Sequence, residues 1–117
     1  MSLRIGIDIG STTVKVVVLD EQNKLLFRSY ERHYSKARER ACETLRSIQD
    51  MLKGQMVRMV ITGSAGLGVA KAAGVDFVQE VYATAAAVRA YYPDTDAVIE
   101  LGGEDAKIIF FGGALEE

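Results

Sequence analysis

One cysteine, Cys42, and one histidine, His33, are the whole supply of thiol and imidazole ligands in this chain of 117 residues. A structural zinc site takes several such ligands, so the chain by itself does not build one. A lone cysteine also excludes an internal disulfide and fits a reducing cytoplasm. Basic residues are not in excess. Fourteen lysines and arginines stand against sixteen acids, for a net charge of -2. That balance does not hold a phosphate backbone, so nucleic acid is not the expected partner. No apolar run reaches the roughly 18 residues of a membrane span, and residues 1–8 carry no signal-peptide pattern. A cytoplasmic protein without membrane contact is the expectation.

What is present suffices for a real core, since a chain of this size buries roughly two-thirds of its unfolded surface. Residues 4–9 read as a short apolar strand and 14–19 as another, rich in β-branched residues. Asp20-Glu21-Gln22-Asn23 is a polar turn, and 24–32 alternates as a third strand. Short connections predict antiparallel pairing of the three. Ser35 is the expected helix N-cap. From there Ala37, Ala41, Leu45, Ile48 and Leu52 form the stripe of an amphipathic helix that ends at Gly54. A strand over 55–62, a short Gly-interrupted helix within 63–74 and a strand over 76–78 follow. An Ala-rich helix over 81–92 is stopped by Pro93.

The order βββαβαβα predicts an α/β fold, a mixed sheet with helices on both faces. A new hairpin starts at Ala97. Residues 1–95 read as a first subdomain and 96–117 as the opening hairpin of a second, truncated one. The apolar strands of that hairpin are expected to pair with the first subdomain or with another copy of the chain.

One pattern occurs twice without a gap, the copies 92 residues apart. The first is Ile7-Asp8-Ile9-Gly10-Ser11-Thr12-Thr13-Val14-Lys15-Val16. The second is Ile99-Glu100-Leu101-Gly102-Gly103-Glu104-Asp105-Ala106-Lys107-Ile108. Each is a strand, a tight Gly turn and a second strand. In the first, Gly10 lets the backbone approach a ligand. Ser11, Thr12 and Thr13 offer hydroxyls and N–H groups, and Lys15 adds a point charge. Each hydrogen bond to a charged phosphate is worth about 1.5–3 kcal/mol. Asp8 can hold Mg²⁺ directly or through its waters.

In the second copy Gly102 and Gly103 permit the same approach, and Glu100 corresponds to Asp8 as a metal-side carboxylate. Glu104 and Asp105 replace two threonines. Carboxylates repel phosphate, but they can bind a metal or orient an attacking water, which makes Glu104 the candidate catalytic residue. One such hairpin alone reads as an ordinary Gly turn. The duplication points to a clamp that grips a Mg-phosphate group from two sides.

Other features read more plainly. Gly63-Ser64-Ala65-Gly66-Leu67-Gly68 has the order G-x-x-G-x-G, not that of a dinucleotide loop, and reads first as a strand-to-helix turn, with a helix cap near a ligand the second reading of Gly63-Ser64. Cys42, beside the apolar stripe, reads as a packing residue. His33, between Arg32 and Tyr34, reads as a surface residue rather than a general base.

Together the two hairpins resemble the phosphate motifs of the actin, sugar-kinase and heat-shock-chaperone ATPase superfamily. Asp8-x-Gly10-Ser11-Thr12-Thr13-x-Lys15 looks like its first motif, and Glu100-Leu101-Gly102-Gly103-Glu104-Asp105 stands in the place of the second. Within it, Gly6-Ile7-Asp8-Ile9-Gly10-Ser11-Thr12-Thr13 with the later Gly-Gly element is most similar to the BadF/BadG/BcrA/BcrD group. Those are activators of 2-hydroxyacyl-CoA dehydratases and ATPase subunits of benzoyl-CoA reductases. The resemblance implies a ribonuclease H-like, actin-like ATPase fold that binds ATP or ADP with Mg between two halves. It implies ATP-driven electron transfer to a dehydratase or reductase partner. It also implies a homodimer of the full-length protein, bridged by a [4Fe–4S] cluster whose cysteines have no counterpart here. The group usually has Asp where Glu100 stands and Gln where Glu104 stands. Two other readings remain open at this point: a sugar or carboxylate kinase of the same superfamily, and a non-catalytic nucleotide switch.

Overall fold

The structure, a computed structural model, describes residues 2–101 and 106–111, together with the main chain of 115–116. Two compact units divide the chain, Met1–Val78 and Gln79–Glu117.

The first unit grows from strands whose apolar residues alternate. β1 (Ser2–Ile9) turns Leu3, Ile5, Ile7 and Ile9 to one face, and β2 (Thr13–Leu19) turns Val14, Val16 and Val18 to the same face. All seven are at most 3% exposed. A period of two is what a sheet with one deeply buried face requires. Burying each such side chain contributes about 1.5–3 kcal/mol. β3 (Leu25–Arg32) completes an antiparallel meander. The polar turn before it is held by Asp20, whose Oδ1 accepts from the N–H groups of Gln22 and Lys24 at 2.8 and 2.9 Å. β4 (Met56–Thr62) runs parallel to β1 on its other side, and β5 (Asp76–Phe77) runs parallel to β4. The order is β3-β2-β1-β4-β5, the mixed sheet anticipated from the sequence. β1 is central, and Asp8 stands level with Lys15 on one side and Thr62 on the other.

Helices α1 (Ala37–Ser47) and α3 (Gly66–Ala73) supply Ala41 and Ala70 to the core on the isoleucine face of β1. The continuous helix expected up to Gly54 is interrupted at Ile48, and α2 (Gln49–Leu52) is a separate short turn. Thr44 Oγ1 donates back to the Arg40 carbonyl at 3.1 Å, and Ser47 Oγ to the Thr44 carbonyl at 2.6 Å. Hydroxyls bonded in this way compete with the helical ladder and bend it. Ile48 stays buried across the break, so the apolar stripe survives. Ser35 is not the N-cap. Its φ is 63°, in the left-handed region, and Lys36 occupies the cap position without a side-chain hydrogen bond.

The second unit holds α4 (Glu80–Tyr91) and the strands β6 (Ala97–Leu101), β7 (Ala106–Phe111) and β8 (Leu115–Glu116). These strands form an antiparallel sheet of their own in the order β6-β7-β8. Among the described residues, β7 has β6 on one side and β8 on the other. Side chains from α4 meet the hairpin face that carries Glu100 and Lys107. No described helix is long and apolar enough to cross a membrane.

Candidate functional site

The first hairpin brings six of the sequence-selected residues together: Asp8, Gly10, Ser11, Thr12, Thr13 and Lys15. Strand alternation explains how. Ile7 and Ile9 point into the core, so Asp8 between them points to the opposite face, as does Lys15 between Val14 and Val16. Their register pairing sets Lys15 Nζ 3.5 Å from Asp8 Oδ2. Both side chains remain about two-fifths exposed, at 42% and 38%. An ion pair that open contributes at most about 1 kcal/mol. It leaves both charges accessible to a ligand. Lys15 Nζ also lies 5.3 Å from the centre of the Tyr30 ring, which limits where the ammonium can swing.

The turn itself is compact. The Gly10 N–H donates to the Thr13 carbonyl at 2.9 Å, and Ser11 and Thr12 are exposed at its tip. The strand-to-helix turn at Gly63 closes in from β4. Gly63 has φ 104°, and a Cβ there would sit 2.2 Å from the Ile9 carbonyl oxygen and 2.6 Å from Asp8 Oδ1. The Ala65 N–H fastens this approach by donating to the Ile9 carbonyl at 2.9 Å. Gly63 therefore lies against Asp8, a contact that sequence order alone does not reveal.

Mg²⁺ is a hard cation that commonly takes one or two carboxylates and completes its shell with waters and phosphate oxygens. The donor set here fits that habit. Asp8 offers one accessible carboxylate, and its register neighbour Thr62 has a buried Oγ1 with no hydrogen-bond partner. No group of three or more His, Cys, Asp or Glu side chains gathers around a metal position among the described residues. An iron–sulfur cluster does not fit these residues. It takes a set of thiolates, and the chain's one cysteine, Cys42, is exposed on α1. That exposure also corrects the reading of Cys42 as a packing residue.

The second hairpin repeats the acid–lysine pairing. Glu100 is the register partner of Lys107, as Asp8 is of Lys15. Its carboxylate is more engaged than that of Asp8. Thr84 Oγ1 on α4 donates to Glu100 Oε2 at 3.1 Å, and Lys107 Nζ lies 3.9 Å from Glu100 Oε1. Lys107 also pairs with Glu80 at the start of α4. Gly102, Gly103 and Glu104 lie outside the described residues.

His33 was expected at the surface, but it is only 7% exposed. Its ring and main chain both bond to the Gly10–Thr13 turn. The only sequence signal was its rarity, one imidazole just past a strand end.

The chain matches the family model described as the BadF/BadG/BcrA/BcrD ATPase family over residues 5–116. No curated protein sequence matches it. Among solved structures it resembles the (R)-2-hydroxyglutaryl-CoA dehydratase component A of Acidaminococcus fermentans, with a TM-score of 0.83 and 22% identity. That match covers 100% of this chain and 46% of the other. The activator of the 2-hydroxyisocaproyl-CoA dehydratase from Clostridium difficile, solved with bound ADPNP, gives a TM-score of 0.74 and 23% identity. Here 98% of this chain and 44% of the other are covered. The Aquifex aeolicus PPX-GPPA enzyme gives a TM-score of 0.59 and 17% identity over 99% of this chain and 50% of the other. At such identities the likeness is one of fold, the actin-like, ribonuclease H-like ATPase fold. The chain spans under half the length of either dehydratase component. With a family model matched along almost all of its residues, the chain belongs to the BadF/BadG/BcrA/BcrD ATPase family.

Proposed function

We propose that this chain is the N-terminal part of an ATP-hydrolysing activator that drives low-potential electron transfer to a 2-hydroxyacyl-CoA dehydratase or a related reductase. The observation that carries this reading is the acid–lysine register pair, Asp8 with Lys15 and Glu100 with Lys107, found in two antiparallel strand pairs whose sequences repeat. Family membership supports the ATPase part. The two dehydratase components among the similar structures support the activator part, and the ADPNP bound to one of them supports the nucleotide.

In this reading residues 1–95 form the first ATPase subdomain and 96–117 open the second. Ser11, Thr12 and Thr13 bind phosphate oxygens through hydroxyl and N–H groups, and Lys15 places its charge beside them. Asp8 and Glu100 are the carboxylates that would hold Mg²⁺, which when bound neutralises phosphate charge. Gly102 and Gly103 are the cofactor-binding candidates of the second copy, since a glycine carries no Cβ to hold a phosphate off. Glu104 orients the attacking water, so that the reaction depends on positioning and charge rather than on covalent chemistry. The thiolates of a [4Fe–4S] cluster come from outside these residues, and the intact protein acts as a cytoplasmic homodimer.

The test is Asp8→Ala in the intact protein. Mg-dependent ATP turnover should fall by about 100-fold or more, the scale of losing a positioned charge at the reacting centre. Unchanged turnover would sink the assignment of Asp8.

A further inference from the structure

His33 is the one imidazole of the chain, it is buried, and the proposed function gives it no role. It lies immediately after β3, and its ring reaches the first hairpin turn. Nε2 is 2.9 Å from the Gly10 carbonyl oxygen, and the Ser35 N–H donates to Nδ1 at 3.1 Å. A backbone N–H can only donate, so Nδ1 carries no proton and the ring proton is on Nε2. The ring therefore donates to Gly10. The main-chain N–H of His33 donates to the Thr12 carbonyl at 3.0 Å. One residue thus holds two carbonyls of the same turn.

Peptide planarity turns this into a statement about the ligand side. In a trans peptide, the C=O of one residue and the N–H of the next point in opposite directions. With the carbonyls of Gly10 and Thr12 turned to His33, the N–H groups of Ser11 and Thr13 point away from it. No loop hydrogen bond takes the Ser11 N–H among the described residues. N–H groups gathered on one side of a turn make an anion-binding concavity.

The backbone beyond His33 is strained in a way that serves the ring. Tyr34 and Ser35 are consecutive non-glycine residues with φ of 49° and 63°. L-residues rarely adopt that region, and it persists only where surrounding structure enforces it. Here it aims the Ser35 N–H at Nδ1, while the Lys36 N–H closes the turn on the His33 carbonyl at 2.8 Å.

We propose that His33 is a positioning residue of the phosphate loop. By engaging the carbonyls of Gly10 and Thr12, it orients the N–H groups of Ser11 and Thr13 toward the phosphates of a nucleotide. This rests on the phosphate-binding role proposed for the hairpin.

The test compares His33→Leu and His33→Gln in the intact protein, with Mg-ADPNP as the probe. Affinity is read by titration calorimetry and folding by thermal denaturation. Leucine fills the space without hydrogen bonds. Glutamine offers one N–H donor for Gly10 and one oxygen acceptor for Ser35. His33→Leu should weaken Mg-ADPNP about tenfold, and His33→Gln should stay within about threefold of wild type. A purely structural role would lower the melting temperature and leave the affinity of the folded protein unmoved. Equal weakening by both variants, or weakening by neither, overturns the proposal. Absence of Mg-ADPNP binding by the wild type overturns the proposed function and this inference together. Binding by the wild type with His33→Leu unaffected overturns this inference alone.

Discussion

Lys15 and Asp8 are register partners across the β1–β2 pairing, and the ammonium stands 3.5 Å from the carboxylate with both side chains open to solvent. An exposed pair stabilises the fold little, so its worth lies in what it presents. Lys15→Met should lower thermal stability by under about 1 kcal/mol yet weaken Mg-ADPNP by about tenfold or more. Denaturation and titration calorimetry on one sample separate the two effects. A large stability loss with intact affinity would show that the pair is structural.

Gly63 is predicted to be intolerant even of alanine. A Cβ there meets the Ile9 carbonyl oxygen at 2.2 Å, and backbone cannot yield as a flexible side chain can. The φ of 104° adds its own penalty for an L-residue. Gly63→Ala should cost at least about 1–3 kcal/mol, read as a lower denaturation midpoint. It should also displace Asp8 and reduce ATP turnover in whatever protein remains folded.

Lys107 sits between two acids, pairing with Glu80 and lying 3.9 Å from Glu100. Lys107→Met removes the cation and leaves Glu80 and Glu100 on the same face of the second unit. The expected loss is about 1 kcal/mol, small because all three side chains keep partial exposure. Adding Glu80→Gln to Lys107→Met should restore part of it. Thermal denaturation of the two variants beside wild type checks this, and no recovery would mean that the pair acts through packing.

Ile9 is fully buried at the end of β1, next to Asp8. Ile9→Ala should destabilise by about 2–5 kcal/mol through lost burial and the cavity left behind. Chemical denaturation should show a lower midpoint with an unchanged slope.

Much of this was legible because period-two alternation is a strong local signal. Leu3 through Ile9 and Val14 through Val18 announced two strands with one buried face, and the repeated acid and glycine marked the turn between them. Tertiary geometry decided the rest. His33 sits between Arg32 and Tyr34, so its neighbours spoke for a surface position. Its ring partner is Gly10, far away in sequence. Ser35 has the chemistry of an N-cap, but the strained turn after His33 sets its φ to 63°, outside the extended backbone that a cap adopts. The break at Ile48 follows from two hydroxyls bonding back along α1, which an apolar stripe does not register. Gly63 looked like punctuation, because only the approach of β4 to β1 reveals which atoms its missing side chain would strike.

β1 carries two kinds of information on one strand. Its odd-numbered residues from Leu3 to Ile9 specify the interior, while Arg4, Gly6 and Asp8 look out on the other side. Selection can therefore act on the two sets almost independently. Side chains can be exchanged at even positions while the scaffold is kept at odd ones. A strand read in this way is a natural starting point for redesigning one face of the sheet without first having to restabilise the protein that holds it.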